Sequence, residues 1–204
     1  ALRALTGIYS KNKKRPKIDS LQFQGMFAAI LSVMEKHPYQ AAVQNEGFMA
    51  MERLFSFADQ QANLLSSNAL NVGDRVVATL RLHHESLAVQ YSGLFLLLSL
   101  SVKKYIPASS FVRSTVSAMR KFPNYVPLQN LGCQCLAQNE PQVIREAGGI
   151  DVLLEVIQNE SLDGQDDPVY DVTPMSMGLL ALECVADKEG AIACECSADL
   201  NEID

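Results

Sequence analysis

Five times along this chain a small residue is followed by side chains three, four and seven positions later that are mostly apolar. Ala1 leads to Ala4, Leu5 and Ile8; Gly47 to Ala50, Met51 and Leu54; Gly93 to Leu96, Leu97 and Leu100; Gly178 to Ala181, Leu182 and Val185. Gly132 leads to Cys135 and Leu136, and Asn139 ends that copy. The anchors at 1, 47, 93, 132 and 178 stand 46, 46, 39 and 46 residues apart. Offsets of three, four and seven share one helix face. A glycine on that face lets a neighbouring helix come close. Such a period predicts stacked helical units, each burying its apolar face against the next.

A second register runs with the first. Gln44, Gln90 and Gln129 each stand three residues before a glycine anchor, and Met175 holds that place before Gly178. Pro38 and Pro123 lie six residues before Gln44 and Gln129, and His84 takes the same place before Gln90. Residues 30–38 and 115–123 run in parallel, and 76–80 falls in the same phase between them. Each is expected to be a helix closed by its proline or polar corner, since proline disfavours helix in the residue before it. Residues 143–157 read as a short helix, a Gly148-Gly149 corner and an apolar helix through Ile150, Leu153, Leu154 and Ile157.

That last stretch resembles the hallmark of an armadillo repeat, and the anchor spacing falls in the armadillo/HEAT range of roughly 40–47 residues. The resemblance implies an all-α fold, a right-handed α-solenoid of about four armadillo-like repeats with a partial repeat at the N-terminus. Residues 1–204 are expected to form a single solenoid domain. Residues 1–20 would be the end of a preceding helix plus a basic loop. The repeats would span 21–57, 58–102, 103–138 and 139–186, and 187–204 would be an acidic cap or tail. In the first repeat, 21–36 is expected to hold two helices before the anchor helix. Residues 58–72 would supply a degenerate first helix, and Ser109-Ser110 would cap a helix of the third repeat. The chain starts within an apparent helix end and without Met, so it is expected to belong to a longer protein.

In armadillo import receptors the third helix of every repeat lines a concave groove, with a Trp two residues after the anchor and an Asn six after it. The Trp places here hold Met49, Phe95, Gln134 and Leu180, and the Asn places Arg53, Ser99, Gln138 and Cys184. The chain has no Trp, so the paired ladder that grips nuclear-localisation signals is absent. Met49, Arg53, Phe95, Ser99, Gln134 and Gln138 are the candidate partner-binding residues of a groove with different chemistry.

Charge narrows the partner. Residues 1–20 sum to +5, 21–158 to zero and 159–204 to −11. Nucleic-acid binding calls for a long basic face, which the neutral middle lacks. The most apolar run, 94–100, is far shorter than a membrane span. The partner is therefore expected to be a protein or peptide, with neither nucleic acid nor membrane. Cys133, Cys135, Cys184, Cys194 and Cys196 are odd in number, which suits a reducing compartment, the cytoplasm. Lys14-Arg15-Pro16-Lys17 leaves the nucleus as an alternative.

No catalytic residue, cofactor or metal ligand set is expected. Two cysteines two residues apart on a helix point about 200° apart and cannot chelate one ion. Cys133, Cys135 and Cys184 read as small buried residues. His83-His84-Glu85 lacks the spacing that puts two ligands on one helical face and reads as a turn. Neither a glycine-rich phosphate loop nor a nucleophile elbow is present. The expected function is a non-catalytic protein–protein interaction scaffold. The alternatives are a nuclear-transport-type peptide receptor or adaptor, and a regulatory repeat domain of a larger enzyme.

Overall fold

The computed structural model of the protein describes residues 20–58, 70–101, 107–159 and 173–200, with side chains described over 21–56, 72–100, 107–159 and 173–188. Among the described residues every regular element is an α-helix and there is no strand. The chain packs as two compact units, Ala1–Ile106 and Pro107–Asp204.

The first unit holds α1 (Ser20–Lys36), α2 (Ala41–Ala58), α3 (Leu70–Leu82) and α4 (Leu87–Ser101). Here α1 packs on α2, α2 on α4, and α3 on α4. Phe23 and Phe27 of α1 stack at 6.2 Å, and both lean against Phe55 of α2 at 6.2 and 5.8 Å. In α4, Val89, Leu94, Leu96, Leu97 and Leu100 are all wholly buried, as its nearly uniform apolar surface requires.

The two helices expected within 21–36 are one. The buried face Phe23, Phe27, Ile30 and Met34 keeps helical phase from end to end. No proline or glycine pair interrupts it, and the lone Gly25 has open space around it and costs only about 1 kcal/mol against Ala. The degenerate helix expected at 58–72 falls largely on 59–69, outside the described residues.

The second unit holds α5 (Ala108–Lys121), α6 (Val126–Ala137), α7 (Pro141–Glu146), α8 (Gly149–Gln158) and α9 (Pro174–Leu200). α5 packs on α6, α7 and α8, and α9 packs on α6, α7 and α8. Ser109 and Ser110 do not cap α5. Pro107, extended at ψ 129°, occupies the cap position, and its fixed φ launches the helix at Ala108, so both serines lie inside the first turn. The Gly148-Gly149 corner is as expected: Gly148 adopts φ 72°, a left-handed conformation that glycine takes without steric cost. α9 runs on to Leu200, so helix takes most of the stretch expected to be a cap or tail.

The two registers of the sequence meet in one device, built three times. The Gln44 side-chain amide donates to Met34 O at 3.0 Å and His37 O at 2.8 Å. Gln90 donates to Leu80 O at 2.8 Å and His83 O at 3.1 Å. Gln129 donates to Met119 O at 3.0 Å and Phe122 O at 2.8 Å. The last carbonyls of a helix have no partner within it, and one amide NH2 carries two donors. The residue that offers the first carbonyl also lays its side chain over the anchor glycine. A Cβ there would lie 2.4 Å from Met34 Sδ at Gly47, 2.5 Å from Leu80 Cδ2 at Gly93, and 2.4 Å from Met119 Sδ at Gly132.

The fourth copy keeps the glycine and lacks the amide. A Cβ at Gly178 would meet Ile157 Cγ1 at 3.0 Å, but Met175 stands where the glutamine would be. Asn159 follows the end of α8 and reaches across, donating to Pro123 O at 3.1 Å. His83 bonds Pro38 O in the first unit at 2.7 Å. The units thus follow one plan: Pro38, Gln44, Gly47 and Gly93 each recur 85 residues later as Pro123, Gln129, Gly132 and Gly178 (47 to 132, 93 to 178).

Candidate functional site

The anchor helices α2, α4, α6 and α9 share one exposure pattern. At about 100° per residue, positions three, four and seven after the anchor fall within about 60° of it. Positions two and six fall about 200° and 240° round, on the opposite side. The first set is buried throughout, except for half-buried Leu182. The second set reaches solvent in all four helices. Met49 is 37% exposed and Leu180 53%. Phe95 and Gln134 are half-buried, as are Arg53 and Ser99, and Gln138 and Cys184 are exposed.

Within the first unit α2 and α4 pack on each other, which places Met49 and Arg53 on one helix and Phe95 and Ser99 on its neighbour. Asn45 Nδ2 lies 3.8 Å from Met49 Sδ. Ser99 Oγ donates to Phe95 O at 3.2 Å, so its proton is used within the helix. Burial pushes the Glu52 carboxyl above its ordinary range, and the Arg53 guanidinium beside it pulls it partly back. The patch is apolar with one cation. Within the second unit α6 and α9 pack likewise, with Gln134 and Gln138 on one helix and Leu180 and Cys184 on the other. That patch is made of amides, an aliphatic side chain and a thiol.

The first unit also holds a cleft of about 240 Å³ that sequence reading missed, lined by Leu31, Met34, Pro38 and Leu82 among others. A Glu35–Arg75 ion pair lies on its wall. The matching crevice of the second unit, at Met119, Pro123, Val152, Val156 and Asn159, is only about 20 Å³. The cleft draws on three helices and a corner, with α1 and α3 some forty residues apart, and no local pattern marks it.

Cysteine chemistry divides. Cys133 and Cys135 are wholly buried, and burial pushes the Cys133 thiol up to about 12. Cys135 is raised too, by burial first, partly offset by the Thr115 side chain. Nucleophilic attack and metal binding need the thiolate, so neither is poised for them. Cys184 is exposed, contrary to expectation, because Gly178, Ala181 and Val185 fix the buried face of α9 and 184, six after the anchor, falls on the opposite side. His83 and His84 form a turn, as expected. Among the described residues no group of three His, Cys, Asp or Glu side chains is placed to hold a metal ion, and no helix is long and apolar enough to cross a membrane.

No protein-family model, no curated protein and no solved structure matches this chain.

Proposed function

We propose that the chain is a non-catalytic scaffold of armadillo-like repeats. It holds a protein segment along the positions two and six residues after the anchors of two anchor helices that pack together within a unit, α2 with α4 or α6 with α9. One observation carries this reading: in all four anchor helices those positions reach solvent while the opposite face is buried. Like exposure on the two packed anchor helices of a unit suits a ligand that contacts neighbouring repeats in turn. The short helix α7, the left-handed Gly148 and the helix α8 before α9 support the armadillo form of the repeat in 141–200.

The chemistry of the first patch suggests the ligand. Met49 and Phe95 offer adaptable and aromatic contacts, and Arg53 favours a carboxylate. The preferred segment pairs an apolar side chain with an acidic one. A basic nuclear-localisation signal fits less well, since Arg53 stands in an asparagine place and the Ser99 proton is already used. Short peptides immobilised as an array test this. Segments that pair apolar with acidic residues should bind, and Met49→Ala/Arg53→Glu/Phe95→Ala should weaken them roughly ten- to a hundredfold. Undiminished binding by a variant of unchanged helicity would overturn the reading.

A further inference from the structure

The cleft of the first unit has a counterpart in the second that shows what chemistry fills such a place. The same three residue types frame both: Met34, Pro38 and Gln44 in one, Met119, Pro123 and Gln129 in the other. A facing helix closes each frame at the same spacing, with Arg75, Ala78 and Thr79 of α3 in the first unit and Val152, Glu155 and Val156 of α8 in the second. Val152 and Val156 are buried at 2% and 4% exposure, and Glu155 stands where the first unit has the small Ala78. About 20 Å³ remains there. In the first unit Arg75 pairs with Glu35 and is exposed, and about 240 Å³ stays open. Branched aliphatic side chains thus fill this place in the second unit, and the first leaves it vacant.

The polar groups around the open cleft are unevenly spent. Gln44 uses both amide protons on Met34 O and His37 O, so what it has left for a ligand is the acceptor Oε1. Arg75 bonds Glu35 through Nη1. Among the described residues Glu35 is its one side-chain partner, so most of its guanidinium donors remain. The two side chains are 49% and 55% exposed, and so exposed a pair holds weakly enough for a second carboxylate to share the guanidinium.

We propose that this cleft binds the C-terminal residue of a partner protein whose chain ends in Ile, Leu or Val. Its volume lies below the roughly 300–1,000 Å³ of small-molecule pockets and admits little more than one residue. Walls at Leu31, Met34, Pro38 and Leu82 call for an aliphatic side chain. The Arg75 guanidinium calls for a carboxylate, and Gln44 Oε1 calls for an N–H. An internal aliphatic residue brings the side chain and the N–H but no carboxylate. An internal Asp or Glu brings a carboxylate in place of the apolar side chain. A C-terminal aliphatic residue carries all three groups at once, and capture of a chain end by its carboxylate is a known mode of peptide recognition. Neither Met49, Arg53, Phe95 nor Ser99 lines the cleft, so the proposal stands apart from the groove reading.

Fluorescence anisotropy of the full chain with a dye-labelled peptide, Gly-Ser-Gly-Ser-Gly-Ile, tests the idea. The free acid should bind. Its C-terminal amide should bind roughly ten- to a hundredfold more weakly, and the free acid ending in Ala roughly tenfold more weakly. Arg75→Gln should bring the free acid down to the affinity of the amide. Ala78→Leu, which sets a side chain into the open space from an exposed position, should abolish binding of both. Met49→Ala/Arg53→Glu/Phe95→Ala should bind the probe as the parent does, which separates this site from the groove. Arg75→Gln, at an exposed ion pair, keeps the test decisive should Ala78→Leu lose helicity. Equal binding of acid and amide would overturn the proposal. So would undiminished binding by a helical Ala78→Leu, or no binding by the parent at any soluble peptide concentration.

Discussion

Gln129 sits 1% exposed at the junction of two helices, and its amide closes the end of α5. Replacing it with Ala removes the side-chain donor from the buried Met119 O, while Phe122 O keeps the Tyr125 N–H at 3.2 Å. Such a loss costs roughly 1–3 kcal/mol, so Gln129→Ala should lower the urea midpoint of the folded chain. Met175→Gln, in the same register of the fourth copy, should change stability by less than about 0.5 kcal/mol, because its site is exposed. The contrast separates a buried clamp from a mere sequence pattern. The spacing of the glutamines was legible in the chain; their purpose was not, since a donor's value depends on which carbonyls lie beside it.

Cys133 and Cys135 give a pH prediction. The folded chain keeps the Cys133 thiol neutral up to about 12, against an ordinary value of 9.0. Above 9 an unfolded chain would lose that proton and the folded chain would not. The stability contribution is therefore complete below pH 9 and falls as pH rises toward about 12. Denaturation of Cys133→Ala/Cys135→Ala should show a flatter alkaline decline than the parent. In an alkylation experiment near neutral pH, Cys184 should be modified well before either buried thiol. An equal rate for all three would sink the assignment.

At the scale of the element, the corner between α7 and α8 is the most exacting point. Gly148 holds φ 72°, and a Cβ there would also lie 3.0 Å from Arg120 Nη2. An L-residue pays about 1–2 kcal/mol for the left-handed region. Gly148→Ala should therefore destabilise by about that much, and Gly148→Asn by less, because Asn tolerates the region better. Calorimetry of the two variants checks the order. This corner was readable as Gly-Gly followed by apolar periodicity. The single helix at Ser20–Lys36 was not, because a repeat template suggested a break where the residues themselves supply none.

Across the whole molecule, the doubling by 85 residues has a consequence in each half. In the second unit Lys188 of α9 donates to Ala137 O at 2.9 Å and Asn139 O at 3.0 Å, placing a cation at the C-terminal end of α6. Lys188→Met should cost about 1 kcal/mol. Amide exchange should quicken in α6 and α9 while α1 to α4 keep their rates, as expected where a repeat is stabilised by its neighbours. Quickening throughout would mean that both units open as one. From the residues alone follow the helical class, the four anchor helices and the face each buries, because offsets of three, four and seven fix a helix face without knowledge of its neighbours. Packing alone decided which carbonyls each glutamine closes, that Asn159 and His83 share one task, and that Leu179 is left uncovered. These are contacts between segments far apart in the chain, and no local period encodes them.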